Sequence, residues 1–585
     1  MSVWSKKLLG HIKHQSVRKL MGKSVVVLVA FFFINLAYAD TRILDYRQGV
    51  IQQTHSGKVK GYVTNQNATL VWKAIPYAQA PVNALRWRAP KPVQPWKKTF
   101  NANQSSSICP QIKAGKFLGH EDCLTLDIYR PNSKNTQLPV MFYIHGGNNQ
   151  MGDSSEVNPG ELVVNANAVV VSINYRVGVL GFNNLPALRN KNAQEASGNF
   201  GLLDIHQALQ WVRHNIQQFG GNPDNITVAG FSAGGRDVMA MLISPLFRGQ
   251  FQQAISFSGG MTLADYDASA PIIARALAPL VVADGVKKAE PAAIAWLLSN
   301  DSDVRDYLST VSAERLSQLM INAGIRMAAF PHLFNDGQVL PKKGFHADQY
   351  HHVPVILFTG AEEFSLFAYW DKHFINRPQE TLINNSLTAK EFEFAKHYGS
   401  ELYALFNAQA PAQTMLPFYK APIYIAEFNW GENPAVAGNA AALFGSYHGV
   451  WLPFLTGEIK ETATHFSAAL QTPGAQQLAQ VFTRYIKQFL WTGNPNAEAL
   501  VKWVLLQDAD KGFQYLSFDA DQSHALISMK QAGRSYQQII ADIEADTTLP
   551  AQHKQILIQQ VLNGRWFSGP LDQHFNNSEV WINVP

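Results

Sequence analysis

Cysteine is nearly absent: Cys109 and Cys123 are the two in 585 residues. That excludes a disulfide-stapled scaffold, and two cysteines without a nearby Cys/His cluster make no structural zinc site. Charge is sparse too, at 16% of residues against 46% hydrophobic and 11% aromatic. Such a composition excludes extensive disorder and leaves ample material for a core. No internal repeat occurs, and no Pro-, Ser- or Gly-rich linker or charge run divides the middle, so one large domain is expected rather than an array. The one long apolar run, residues 25–36, includes Asn35 and falls short of the ~20 residues a bilayer span requires.

That run belongs to a distinct N-terminal stretch. Residues 1–23 carry six Lys or Arg and no acid, and Ala37-Tyr38-Ala39 precedes Asp40 as an A-x-A cleavage site. The pattern predicts a signal peptide cut between Ala39 and Asp40, giving a secreted or periplasmic protein with no membrane span in its mature form. Cleavage would remove six of the 48 basic residues and none of the 43 acidic ones, leaving 42 against 43, a net charge of −1. The basicity therefore sits in the leader, and nucleic acid is excluded as a partner on electrostatic grounds. In an oxidising compartment Cys109 and Cys123 are expected to pair, closing a loop that chain-entropy models value at roughly 3 kcal/mol; buried free thiols are the alternative.

Chemistry is concentrated in a few segments. Gly230-Phe231-Ser232-Ala233-Gly234 follows the apolar run Ile226-Thr227-Val228-Ala229 and precedes helix-like residues 236–242. The order predicts a strand, a turn too sharp for ordinary residues, and a helix. In a G-x-S-x-G elbow the serine takes a strained conformation that projects its hydroxyl, while the glycines let strand and helix approach closely. A serine needs a base to take its proton, and the oxyanion that follows needs donors. Val140-Met141-Phe142-Tyr143-Ile144 predicts a buried strand running into His145-Gly146-Gly147-Asn148-Asn149. The amides of Gly147, Asn148 and Ala233 are the candidate oxyanion donors. Residues 353–357 predict another buried strand, which leads to Gly360-Ala361-Glu362-Glu363-Phe364. Adjacent carboxylates usually mark a solvated loop, but the end of a strand in an α/β sheet is where ligands bind. Among 18 histidines, His448 stands out for its glycine-flanked aromatic context, Tyr447-His448-Gly449-Val450-Trp451.

These segments, together with Glu121-Asp122-Cys123-Leu124, Asn174-Tyr175-Arg176-Val177-Gly178, Gly198-Asn199-Phe200-Gly201 and Phe219-Gly220-Gly221-Asn222-Pro223, resemble the type B carboxylesterase family, the cholinesterase-like carboxylesterases, over about residues 45–520. The resemblance implies an α/β-hydrolase fold, with a large twisted, mostly parallel sheet and helices on both faces. It implies a triad in the order Ser232, Glu363, His448, with Glu362 and His465 as the alternates. It further implies cleavage of small-molecule carboxylic esters through an acyl-enzyme, without cofactor or metal. Alternatives are a non-catalytic adhesion-type member, or a lipase or amidase using the same triad. The expected organisation is a signal peptide (1–39), a hydrolase domain (40–520) and a helical C-terminal extension of that domain (521–585), packed on its surface.

The chain departs from the family pattern at Phe364, where a glycine is usual, at Trp451, where an acid is usual, and in three further places. Phe231 stands where a glutamate is usual, which predicts a more apolar site. Asn148 replaces a glycine of the oxyanion loop, tolerable if it adopts the left-handed conformation Asn visits readily. The segment between Cys109 and Cys123 lacks the tryptophan on which choline stacks in cholinesterases, so a choline ester is not the expected substrate.

Overall fold

The computed structural model describes residues 48–64, 68–319, 330–346, 350–506, 513–531 and 533–577. The expected signal peptide, residues 1–39, lies outside them.

An eleven-stranded sheet organises the described residues. Its strands are β1 (Tyr62–Thr64), β2 (Thr69–Pro76), β3 (Thr125–Pro131), β4 (Leu138–Ile144), β5 (Val169–Ile173), β6 (Gly221–Phe231), β7 (Gln253–Phe257), β8 (Val355–Gly360), β9 (Ile423–Phe428), β10 (Gln514–Ala520) and β11 (Ala525–Gln531). The spatial order is 11-10-9-8-7-6-4-5-3-2-1. Seven neighbours, β5, β4 and β6 to β10, run parallel. Strands β3, β2 and β1 at one side and β11 at the other pair antiparallel.

The parallel strands are buried along their whole length at β4, β5, β7 and β8. A strand alternates its side chains between faces, so such a run must feed two cores at once. Val140, Phe142 and Ile144 of β4 enter one core, with α1 (Phe200–Asn215) and much of α2 (Ala233–Ile243). Met141 and Tyr143 enter the other, with α3 (Leu387–Ala404) and α4 (Pro473–Thr492). Helix α4 begins where its sequence dictates. Thr472 accepts from the Ala475 amide as N-cap, Pro473 occupies the first turn, where its missing N–H costs nothing, and Gly493 ends the helix in the left-handed region. Among the described residues one helix, Tyr266–Ala283, is long and apolar enough to cross a membrane by length and composition.

The C-terminal part opens with the edge strand β11 before becoming helical, as α5 (Tyr536–Ala545), α6 (Ala551–Ile556) and a wider helical turn at Leu557–Leu562. It is more than a surface hairpin. Trp566 and Phe567 are buried, and Arg565 forms a buried ion pair with Asp371 at 2.6 Å.

Candidate active site

The parallel strands all end on the same side, and their C-terminal ends carry the candidate residues. Ser232 joins β6 to α2 with φ 55° and ψ −115°, a strained conformation for a residue with a side chain. The flanking glycines make it feasible: a Cβ on Gly230 would meet the Gly234 carbonyl at 2.2 Å, and one on Gly234 the Ile144 carbonyl at 2.1 Å. The Ser232 amide donates to the Phe257 carbonyl at the end of β7, at 2.8 Å, pinning the elbow to the next strand. Ala233 is the first residue of α2, so its amide lies at the positive end of an eleven-residue helix.

After β4 the chain turns through residues 145–149. Asn148 sits at φ 62° and Asn149 at φ 56°, the left-handed region expected for Asn148. Both asparagines are held by their side chains: Asn148 donates to Gln150 at 2.6 Å, and Asn149 donates to Asp237 at 3.0 Å and accepts from the Tyr175 hydroxyl at 2.7 Å. The Gly146 amide is engaged, donating to both oxygens of Glu156 at 2.9 and 3.1 Å. Those of Gly147 and Asn148 donate to no backbone carbonyl among the described residues. His145, which opens the turn, is fully buried, and desolvation pushes its pKa down to about 4, so the ring is neutral in the turn.

Glu363 follows β8 and is completely buried. One oxygen accepts from the Gly360 amide at 2.6 Å, the Ser258 hydroxyl at 2.5 Å and Thr359 at 3.2 Å. The other is hydrogen-bonded to Nδ1 of His448, in the long, partly helical connection between β9 and β10. Its neighbour Glu362 points elsewhere and pairs with Lys396 at 3.1 Å. His465, the alternate histidine, packs on Phe444 with ring centroids 4.9 Å apart. The structure therefore brings His448 to Glu363, and neither alternate to that contact.

Nε2 of His448 is buried and makes no hydrogen bond among the described residues. The imidazole lies next to the residue that precedes Ser232: its centroid is 4.6 Å from that of Phe231. In unliganded hydrolases the serine–imidazole bond is often long and tightens in the complex. Tyr403 stacks on the ring at 5.6 Å and Phe367 packs on it at 5.1 Å. Phe567 of the C-terminal part in turn stacks on Tyr403 at 4.8 Å. Trp566 covers the buried guanidinium of Arg236, one turn after Ser232, at 3.3 Å. The C-terminal part thus packs against Tyr403 and Arg236.

A cavity of about 460 Å³ opens in front of His448, bordered by Gly147, Glu156, Phe231 and Leu452. The disulfide Cys109–Cys123 is formed. Between its cysteines, Gln111 exchanges two hydrogen bonds with the Gly152 backbone, donating at 3.0 Å and accepting at 2.8 Å, and so ties that loop to the cavity wall. No group of three or more His, Cys, Asp or Glu able to hold a metal occurs among the described residues.

Sequence reasoning missed Ser258, Glu156 and the C-terminal aromatics. Ser258 had a faint signal, a polar residue directly after an apolar strand. The others had none, because their contacts join distant segments. The expectation of a more apolar site is corrected by Glu156: Phe231 lacks a carboxylate, but another element supplies one to the same cavity.

Residues 48–407 match the family model described as the Carboxylesterase family. The para-nitrobenzyl esterase of Bacillus subtilis (strain 168) is 31% identical over 473 residues, which are 77% of this chain and 92% of that protein. The medium-chain fatty acyl-CoA hydrolase precursor of Anas platyrhynchos is 27% identical, over 84% of this chain and 93% of its own length. Among solved structures a PNB esterase superposes with a TM-score of 0.65 at 29% identity, over 84% of this chain and 99% of its own.

Proposed function

The chain belongs to the carboxylesterase family and is a serine hydrolase of carboxylic esters, and on that premise we propose that Ser232, His448 and Glu363 are its triad and the amides of Gly147, Asn148 and Ala233 its oxyanion donors. The observation that carries this reading is the His448–Glu363 contact beside a serine held in a strained elbow. Nε2 of His448 takes the Ser232 proton as Oγ bonds to the ester carbonyl carbon, and the electron pair moves onto the carbonyl oxygen, facing the three amides. Glu363 fixes the ring tautomer through Nδ1 and stabilises the imidazolium. Collapse expels the alkoxide, which takes the proton from His448, leaving an acyl-Ser232. Water, deprotonated by His448, attacks this ester in the same way, and the acid leaves as Ser232 regains its proton.

The substrate is a small-molecule ester. The extension 521–585 is read as part of the hydrolase domain 40–520. A fluorophosphonate should label the Ser232 peptide of the wild type and leave Ser232→Ala unlabelled; stoichiometric labelling of another serine would move the nucleophile.

The A-x-A motif and the formed disulfide also support export with cleavage between Ala39 and Asp40. The intact mass of the exported protein should then begin at Asp40 and be two hydrogens below the reduced value. A mature chain retaining residues 1–39, or two free thiols, would refute it.

A further inference from the structure

Glu156 lies ten residues beyond Gly146, in a segment with no catalytic motif. Its carboxyl group nevertheless sits at the centre of the site. Both oxygens accept from the Gly146 amide, at 2.9 and 3.1 Å, and one also accepts from the Tyr143 hydroxyl at 2.8 Å. A Cβ built on Gly146 would lie 3.1 Å from Glu156 Oε1, 3.1 Å from the Phe231 carbonyl and 3.2 Å from Ser232 Cβ. The carboxyl, the elbow and Gly146 of the oxyanion turn therefore converge on one point. Glu156 also borders the cavity shared with Gly147 and His448.

We propose that Glu156 is a positioning residue for ester hydrolysis: its carboxyl ties the Gly146 amide to the Tyr143 hydroxyl and so holds the amides of Gly147 and Asn148 aimed at the developing oxyanion. The role rests on the assignment of those amides and of Ser232 above. Oxyanion donors act through preorganisation, and a turn with two consecutive left-handed asparagines has no regular secondary structure to hold it. A clamp on the Gly146 amide adds to the side-chain bonds that hold Asn148 and Asn149. Tyr143 belongs to the buried strand β4, so the clamp is anchored in the sheet.

Burial pushes the Glu156 pKa up to about 7, with Asp153 pushing the same way. The bonds from Tyr143 and Gly146 and the charge of Lys460 oppose the rise. The remaining charged groups bordering the cavity are Lys113, Glu458 and Glu461. Ionisation of Glu156 places a negative charge one residue from the amides that receive the oxyanion, and like charges at that range oppose each other. Glutamine keeps an acceptor for the Gly146 amide and removes the charge.

The test compares Glu156→Ala and Glu156→Gln with the wild type on p-nitrophenyl butyrate from pH 5.5 to 9. It adds the affinity of a trifluoromethyl ketone, which forms a tetrahedral adduct. In the alanine variant kcat should fall about 10- to 100-fold with KM within threefold, and ketone affinity should fall in parallel, since the effect is confined to the tetrahedral state. In the glutamine variant activity at pH 6 should stay within about fivefold of wild type, and the ratio of variant to wild-type kcat should rise about threefold or more as pH passes through 7. Equal loss in both variants, or a ratio flat or falling with pH, would overturn the proposal; so would an alanine variant with unchanged kcat. If the alanine variant fails to fold, the glutamine ratio decides. Fluorophosphonate labelling runs in parallel: loss of Ser232 labelling in the wild type would indict the nucleophile assignment, not Glu156.

Discussion

Two cavities of nearly equal size, a front and a rear one, use their carboxyl groups differently. The front one, about 460 Å³, contains Phe231 and His448; the rear one, about 490 Å³, is bordered by Glu362, Glu401, Glu427 and Glu432. The front cavity is bordered by as many carboxyl groups, Asp153, Glu156, Glu458 and Glu461. Burial raises the pKa of all four in the rear cavity, that of Glu432 to about 7, with the charge of Glu362 adding to it. Yet its carboxyls are spent on Lys396, Arg534, Asn429 and Ser446. In front, one carboxylate is turned onto an imidazole that packs against the residue preceding a strained serine. Perturbed carboxyl groups alone do not mark a catalytic centre; in the proposed assignment the mark is a carboxyl turned onto an imidazole beside a strained serine.

The sharpest way to break the comparison is Ser232→Ala. The front cavity should lose hydrolysis by about 10⁴-fold or more in kcat, with the thermal transition nearly unchanged, because one hydroxyl and no core volume is removed. Activity within tenfold of wild type would mean the chemistry lies elsewhere, and steady-state rates on p-nitrophenyl esters would reveal it.

The next test separates Glu362 from Glu363. Glu363→Gln should lower kcat by about 10²- to 10⁴-fold, since an amide in place of the carboxylate loses the imidazolium partner and disfavours the productive tautomer. Glu362→Gln, facing the rear, should stay within about fivefold. Equal or reversed losses would exchange the roles of the two residues.

The smallest effect concerns the rear cavity alone. The folded-state pKa of Glu432 lies above the usual value of 4.5. The folded protein therefore binds that proton more tightly than the unfolded chain, and stability is lost as pH rises from about 4.5 to 7. Glu432→Gln should reduce this penalty, raising stability at pH 8 relative to pH 5 by less than about 1 kcal/mol in urea unfolding because the residue is solvent-exposed and its charge is screened, while kcat changes less than twofold. An unchanged pH dependence would show that Glu432 ionises freely in the fold.

Much of the front cavity was legible beforehand because its signals are local. The glycines around Ser232 announce a backbone approach that no Cβ would allow, and the geometry bears this out. Asn148 was readable for the same reason, being one of the few residue types that enter the left-handed region cheaply. The continuous apolar runs at β4 and β8 announced strands buried on both faces, although β8 begins at Val355, past Pro354, rather than at residue 353. The rear cavity left no comparable trace. Glu401, Glu427 and Glu432 look like ordinary charged residues in the chain.

What the amino-acid order determined by itself was therefore the set of short-range geometries: the elbow, the glycine-asparagine turn, the strand periodicity and the capped helix at Pro473–Thr492. Each is decided by sterics and hydrogen bonds within a few residues. Tertiary structure alone decided which of two adjacent glutamates meets His448, which serine supports that glutamate, that Glu156 reaches back to Gly146 beside the elbow, and that Phe567 stacks on Tyr403 behind the imidazole. The glutamates differ by one step along the backbone, and their environments are set by Ser258, Lys396 and Ser446, which lie 34 to 105 residues away in the chain. Such contacts follow from how two cores close on one sheet, and no local pattern encodes that packing.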